Sequence, residues 1–397
     1  MDRVALARHI IDLGLTQADL ELGQHHAPDP AETEALLLAA PGAQGLLQTQ
    51  TDLRDLFPAG LAPVPTLVEP PPRSDAPLPR ADYLVVTWTI AELAALADVL
   101  TPGVSRTSWH AYDRNFATVF LPQIRPGAPA RGAQRLASYC PTRIGDKAVL
   151  CVKSELHLNQ DGVKTGEGTA TLPVADLFRQ MISEVQPKLV ITTGTAGATY
   201  ADHDLGDVMI TRTAKFRLRQ EFRNEPFADV QYASDFTVST DMFDAAEVLL
   251  AAHADRLTEP DFGPPTTRYD LPGDHQVMPG RHNRPSLQLE GRDFPTHHPM
   301  LTTDYFEFGT STNHLARSGC GVEMGDAALG MVCDELGVAA PRWLVVRNAS
   351  DPQINGNLPT SPDVQAMWAV WFYDTYGYWT SVSSAIATWA VIAGDPG

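Results

Sequence analysis

The sequence predicts an α/β protein, a three-layer α/β/α sandwich in which helices cover both faces of a central sheet. Strand-like runs in the chain are apolar throughout, which indicates a sheet buried on both faces. These runs alternate with helical patterns, as in folds built around a largely parallel sheet. The 397 residues are 44% hydrophobic and 19% charged, so the chain is globular and can bury a sizeable core.

The first 80 residues differ in composition from the rest of the chain. Residues 1–57 are predicted to form a small helical extension. Within it Asp29, Pro30 and Glu32 supply an N-cap, a first-turn proline and a capping-box acid for a helix over 30–39. Prolines cluster over residues 58–80, which favours an extended, semi-rigid linker. The main domain is therefore expected at residues 81–397.

The strands and helices of the main domain follow in a regular order. Strands are predicted at 83–87, 147–152, 188–193, 207–211 and 343–347, and helices at 91–100, 174–184 and 326–335. Two stretches, 102–142 and 259–299, lack this periodicity and are interpreted as surface insertions. Ligands of such folds bind beyond the carboxyl ends of the strands, so we expect the site there.

Charge and composition narrow the function classes. A net charge of −19 argues against binding a nucleic-acid backbone or an anionic membrane. Four scattered cysteines have neither zinc-site nor disulfide-framework spacing, and no apolar tract is long enough for a signal peptide or a membrane span. We therefore expect a cytoplasmic protein that acts on a small molecule and needs no metal or cofactor. Four histidines are interpreted as solvated loop residues rather than metal ligands: His275, His282, His297 and His298.

Polar residues at three strand ends are candidates for chemistry. Glu92 lies in the first turn of a helix, where an acid also simply suits the helix N-terminus. The segment 193–198 is predicted to be a turn of small residues after a strand, which lets backbone N–H groups approach a ligand, although any tight turn needs the same residues. Asp351 follows an apolar strand, and its alternative role is a cap on the turn before Pro352.

Taken in order, these segments resemble the nucleoside phosphorylase and nucleosidase superfamily, most closely its methylthioadenosine/S-adenosylhomocysteine nucleosidase branch. The resemblance covers about residues 81–394 and implies a mixed central sheet and a homodimer or higher homo-oligomer. The motifs that carry it are the first strand and helix with Glu92, and the segments 191–197, 205–208, 303–306, 322–324 and 347–351.

The resemblance also implies roles for individual residues. Asp351 protonates or hydrogen-bonds the purine at N7, and Glu92 activates the attacking water. Phe306 stacks on the base, Met324 lies under the sugar, and Glu323 sits in the ribose-binding turn. An acid on the base side and a base on the water side are what cleavage of an N-glycosidic bond needs. The other candidate substrate-binding residues are Thr193, Gly194, Thr195, Ala196, Gly197, Asp326 and Ser350.

The chain departs from the family pattern in two places. No Arg or Lys lies between Val190 and Ala201, where phosphorylases of the family place an arginine for phosphate. Gly325 stands where the family has a glutamate for the ribose hydroxyls, so either Asp326 replaces it or the sugar differs at its hydroxyls. The leading hypothesis is a hydrolase of purine nucleosides, with adenine as the expected base. A phosphate-dependent purine nucleoside phosphorylase and a non-catalytic nucleoside-binding protein remain alternatives.

Overall fold

The computed structural model describes residues 57–236, 298–354, 356 and 362–396, with isolated positions between 244 and 290. The predicted helical extension, apart from Phe57, lies outside the described residues. So does most of the predicted insertion at 259–299, with His282 and His297.

Fifteen strands are present in the described part of the chain. They are β1 (Val64–Pro65), β2 (Tyr83–Thr87), β3 (His110–Tyr112), β4 (Ala137–Ile144), β5 (Lys147–Ser154), β6 (Leu189–Ala198), β7 (Val208–Thr211), β8 (Thr213–Arg217), β9 (Gln231–Ala233), β10 (Asp270–Leu271), β11 (His275–Gln276), β12 (Leu289–Glu290), β13 (Met300–Thr303), β14 (Gly321–Glu323) and β15 (Arg342–Asp351).

Six α-helices have both ends in the part of the chain that the structure describes. They are α1 (Ile90–Leu100), α2 (Pro129–Ala133), α3 (Leu158–Asp161), α4 (Pro173–Val185), α5 (Asp326–Leu336) and α6 (Pro362–Gly394). Short 3₁₀ turns occur at Arg106–Ser108, Leu121–Gln123, Leu315–Arg317 and Gly337–Ala339, and a π-helical turn at Phe116–Phe120.

The sheet is mixed and branches at β6. A parallel core is formed by the strands in the order β5, β2, β6 and β15. Strand β4 pairs antiparallel with β5. The carboxyl end of β6 also pairs antiparallel with β14, which leads on to β13, β8 and β9. The predicted α/β class with a mixed central sheet is confirmed.

Both faces of the sheet are covered, as the unbroken apolar strands predict. In β2, Tyr83 and Val85 belong to the core formed with α1 and α6. The alternate residues Leu84 and Val86 belong to the core formed with α4 and α5. Because successive side chains of a strand point to opposite faces, a strand buried on both must be apolar at every position.

The start of the proline-rich segment packs against the main domain. Strand β1 pairs antiparallel with β4 at the sheet edge, where proline's missing N–H is tolerated. The Leu61 carbonyl accepts a 2.7 Å hydrogen bond from the Trp389 indole, and the Phe57 ring lies 4.8 Å from that indole. The predicted insertion at 102–142 is likewise shorter, because β4 starts at Ala137 and belongs to the sheet.

Three other observations bear on the sequence expectations. All four cysteines are buried and free. No helix within the described part of the chain is both long and apolar enough to cross a membrane. His298 is half-buried and hydrogen-bonded to the Tyr200 hydroxyl, so its interpretation as a solvated loop histidine is wrong.

Candidate active site

A cavity lies at the carboxyl ends of the parallel strands, where the sequence predicts the site. Residues from β6, from β15 and from the loops after β2 and β5 form one side of it, and residues around β13 and β14 form the other. The lining residues are Trp88, Thr89, Glu92, His157, Thr195, Ala196, Gly197, Thr303, Phe306, Glu307, Val322, Glu323, Met324, Arg347, Ser350, Asp351 and Tyr373.

At one end of the cavity, a single buried arginine meets three carboxylates. Arg347 of β15 lies 2.5 and 3.0 Å from the two oxygens of Asp326, 3.3 Å from Glu323 Oε2 and 3.5 Å from Glu92 Oε1. Its guanidinium carbon lies 4.9 Å from the centre of the Trp88 ring, in a cation–π contact. We call this arginine and its three acids the Arg347 cluster.

The Arg347 cluster holds more negative than positive charge. All its members are buried, and one guanidinium balances only one of the three acids, so the cluster stays negative even when Glu323 carries a proton. Burial and the neighbouring charge of Asp326 raise the pKa of Glu323 to about 8, against the opposing effect of Arg347. This end of the cavity therefore disfavours a second anion such as phosphate.

Glu92 has its acceptor positions filled by protein donors. Its Oε2 accepts from the Thr87 hydroxyl at 2.8 Å and from the N–H groups of Trp88 and Thr89 at 2.9 and 2.8 Å. Its Oε1 accepts from the N–H and the hydroxyl of Thr195, both at 2.7 Å. Thr89 and Glu92 also form a capping box that begins α1, which fixes the side chain at the helix N-terminus.

These donors keep Glu92 ionised. Burial alone would raise the pKa of Glu92, but the Arg347 charge and the hydrogen bonds from Thr195 and Thr89 outweigh burial and lower it. Gly194 makes the arrangement possible, because a Cβ there would lie 2.3 Å from the Glu92 carboxyl carbon. Segment 193–198 is therefore not a turn after the strand but the end of β6 itself, and its glycine admits the Glu92 side chain.

Asp351 occupies the other end of the cavity under opposite conditions. It ends β15, just after a register shift against β6 between Ala349 and Asp351. Its Oδ1 lies 3.0 Å from the Ser350 hydroxyl, and within the described structure its buried Oδ2 has no hydrogen-bond partner. Burial raises the pKa of Asp351 to about 7, although the Ser350 hydrogen bond opposes the shift. Near neutral pH this carboxyl can therefore carry a proton.

Most of the predicted site residues line this one cavity. They are Glu92, Thr195, Ala196, Gly197, Phe306, Glu323, Met324, Ser350 and Asp351. Three do not line it. The Thr193 hydroxyl is hydrogen-bonded to Thr388, Gly194 faces Glu92, and Asp326 is fully buried against Arg347.

Eight lining residues are absent from the predicted set: Trp88, Thr89, His157, Thr303, Glu307, Val322, Arg347 and Tyr373. Trp88 and His157 each follow the end of a parallel strand, so the rule that singled out Asp351 would have found them. Glu307 is bound by Arg217, and the sequence holds no sign of that long-range pair. The described residues contain no group of three or more His, Cys, Asp or Glu side chains placed to hold a metal ion.

The chain matches one known sequence family. Residues 162–367, just over half of the 397, match the family model of the phosphorylase superfamily. Among curated proteins, none matches the chain.

Solved structures similar to the chain include two kinds of hydrolase. Futalosine hydrolase of Helicobacter pylori is 13% identical with a TM-score of 0.42, covering 78% of this chain and 96% of that chain. The methylthioadenosine/S-adenosylhomocysteine nucleosidase from Helicobacter pylori is 13% identical with a TM-score of 0.43, covering 79% and 98%. The methylthioadenosine/S-adenosylhomocysteine nucleosidase from Neisseria meningitidis is 15% identical with a TM-score of 0.43, and the match covers 79% of this chain and 99% of that chain.

Proposed function

We propose that this chain, which belongs to the phosphorylase superfamily, hydrolyses the N-glycosidic bond of a purine nucleoside. The observation that carries the proposal is the pairing of two differently held acids in one cavity. Asp351 has a raised pKa and an open oxygen, whereas Glu92 has a lowered pKa and remains ionised. Two acids whose surroundings push their pKa values apart supply an acid and a base at the same pH.

In the proposed reaction the bond between the sugar C1′ and the purine nitrogen breaks, and its electron pair leaves with the base. The Asp351 proton passes to purine N7, which neutralises the departing base. The sugar becomes cationic, and the anionic Glu92 lies in the same cavity to stabilise it. Phe306 stacks on the base, and Met324 lies under the sugar.

Water then completes the reaction by bonding through its oxygen to C1′. Rotation of the Thr195 hydroxyl frees one acceptor position on Glu92 Oε1, and a water proton takes that position. Because the sugar cation reacts readily with water, a weakly basic carboxylate suffices to orient the nucleophile. The proton of that water goes to Glu92, and the products are the free base and the sugar.

The charges of the cavity favour water over phosphate as the nucleophile. Arg347 is the one Arg or Lys among the lining residues that the structure describes, and three carboxylates surround it. A phosphate would meet the negative Arg347 cluster without an unpaired guanidinium or ammonium. This observation is our reason for preferring hydrolysis to phosphorolysis.

The test is release of free base from adenosine, 2′-deoxyadenosine, inosine and guanosine with and without phosphate, measured by chromatography. We expect release that does not depend on phosphate, with an equal amount of free reducing sugar. Strict dependence on phosphate would establish a phosphorylase instead. Nucleoside binding without base release from any of the four would indicate a non-catalytic binder. Asp351→Asn serves as the control for contaminating nucleosidases.

A further inference from the structure

The Arg347 end of the cavity has no carboxylate free to accept a hydrogen bond from a sugar. Glu323 lines this end, but each of its oxygens already accepts two hydrogen bonds. Oε1 accepts from the Thr302 hydroxyl and, at 2.9 Å, from the Asp326 N–H. Oε2 accepts from the Gly325 N–H at 2.5 Å and from Arg347 at 3.3 Å. Four donors fill the acceptor capacity of a carboxylate, and a protonated carboxyl has fewer acceptor positions still, so Glu323 has none left for a sugar hydroxyl in either form.

The other acids at this end are occupied as well. Asp326 is fully buried under Arg347 and does not line the cavity. Glu92 accepts five hydrogen bonds, and the one position that the Thr195 hydroxyl can vacate goes to the attacking water. A pair of neighbouring sugar hydroxyls needs two acceptors and finds none on these acids.

An aromatic ring takes the place where a longer side chain would reach into the cavity. A Cβ on Gly325 would lie 2.8 Å from the Trp88 ring, so the indole fills the space beside this glycine. The ring is fixed there by a 3.1 Å hydrogen bond from its Nε1 to the Leu156 carbonyl and by the Arg347 guanidinium against its face. Val322 and Met324 add apolar surface to the cavity wall.

We propose that the Arg347 end of the cavity selects a deoxy sugar, so that the substrate is a purine 2′-deoxyribonucleoside. The inference rests on the proposed function for the direction of binding, with the base at Asp351 and the sugar at Arg347. Arg347 and Asp351 are four positions apart in β15, a span of about 13 Å that suits the two ends of a nucleoside. A ribose 2′-hydroxyl buried here would find no acceptor on the three acids of the Arg347 cluster, which weakens its binding.

The test is the Kd of adenosine and of 2′-deoxyadenosine for Asp351→Asn, measured by calorimetry. This variant turns over slowly, so the two nucleosides survive the measurement and their different intrinsic reactivities do not enter. We expect 2′-deoxyadenosine to bind at least about fivefold more tightly, the ratio that an unpaired buried hydroxyl produces. A smaller preference, or tighter binding of adenosine, overturns the inference. Because binding is read without turnover, a failure of the hydrolase proposal is seen separately in the base-release assay.

A second experiment supplies the acceptor that the cavity lacks. Trp88→Gly with Gly325→Glu removes the indole and places a carboxylate beside the sugar, and Trp88→Gly alone is its control. Relative to that control, we expect the double variant to shift the Kd ratio at least about fivefold towards adenosine, because a new acceptor meets the hydroxyls. An unchanged ratio in a double variant that melts like its control contradicts the inference. If the double variant does not fold, the Asp351→Asn measurement decides alone.

Discussion

The two ends of the cavity hold acids of the same chemical type under opposite conditions. At the Arg347 end, Glu92 accepts five hydrogen bonds and lies 3.5 Å from a guanidinium. At the Asp351 end, a buried carboxyl has the Ser350 hydroxyl beside one oxygen and no partner within the described structure for the other. The pKa of Glu92 is lowered, and that of Asp351 is raised to about 7.

The difference teaches that donors, and not burial, decide what a buried acid does. Both carboxyls are almost inaccessible, so desolvation opposes the ionised form of each. Only Glu92 has enough donors around it to offset that cost. Substitutions that remove donors, crowd an acid or remove its charge should therefore act differently at the two ends.

The largest effect is expected from Arg347→Met. This substitution leaves Glu92, Glu323 and Asp326 buried without a cation and should lower the free energy of unfolding by about 3–5 kcal/mol. Urea denaturation measures the loss. Arg217→Met is the matched control, because its partner Glu307 is a single carboxylate and the pair is partly exposed to solvent. Equal losses for the two variants would show that the Arg347 cluster has no special role.

Glu92→Gln should reduce hydrolysis by about 100-fold or more, because the amide carries no charge to stabilise the sugar cation or to take the water proton. Its NH₂ group would also face N–H donors, so we expect a loss of about 1–3 kcal/mol in unfolding free energy. Turnover and Kd for 2′-deoxyadenosine, measured side by side, separate catalysis from binding. Undiminished turnover in a folded variant would remove Glu92 from the mechanism and favour phosphorolysis.

Gly194→Ala tests the close approach of β6 to Glu92. The backbone at Gly194 has a φ of +141°, and a Cβ there would meet the Glu92 carboxyl group at 2.3 Å. We expect a loss of about 1–3 kcal/mol in stability together with reduced turnover. Gly337→Ala is the control, with a φ of +56° and nothing within 4 Å of its Cβ, and it should cost stability without affecting turnover. Equal turnover in the two variants would disprove the coupling to Glu92.

The pH dependence of stability tests the Asp351 end of the cavity. Burial raises the pKa of Asp351 from an ordinary value of 3.8 to about 7 in the folded protein, so the folded state binds the proton more tightly. The stabilisation from Asp351 is therefore full below about pH 4 and is lost as the pH rises through 7. The Asp351→Asn variant does not show this loss, because its amide does not titrate. Subtracting its unfolding free energies from those of the wild type, across pH 4 to 8, should leave a difference that falls with pH, and a flat difference would contradict the raised pKa.

The fold was predictable from the sequence because its signals are local. Apolar strands and helical periodicity depend on residues close in the chain, and both the α/β class and the main strands and helices follow from them. The end of β6 was misread as a turn because small residues suit turns and crowded strands alike. The packing of the proline-rich segment depends on Trp389, more than 300 residues away, and no local pattern reports such a contact.

The sequence was sufficient to predict many of the residues that line the candidate site, but not which of them form ion pairs with one another. Strand ends identified Asp351 and Glu92, which lie at opposite ends of one cavity. The ion pairs of Arg347 could not be read from the sequence, because they join β15 to Glu323 at the end of β14 and to acids in the helices that follow β2 and β14. Asp326 illustrates the consequence: its position suggested a sugar ligand, but its carboxylate is bound to that arginine.

The most direct test of the account is the pH–rate profile of nucleoside hydrolysis by wild type and Asp351→Asn. The proton on Asp351 is required, so kcat/KM of the wild type should be constant below about pH 7 and fall tenfold per pH unit above it. Asp351→Asn should lose about 100-fold or more in turnover, lack that descending limb and melt no lower than the wild type. A fully active Asp351→Asn variant with the same descending limb and a lower melting temperature would make Asp351 a structural residue and contradict the central claim.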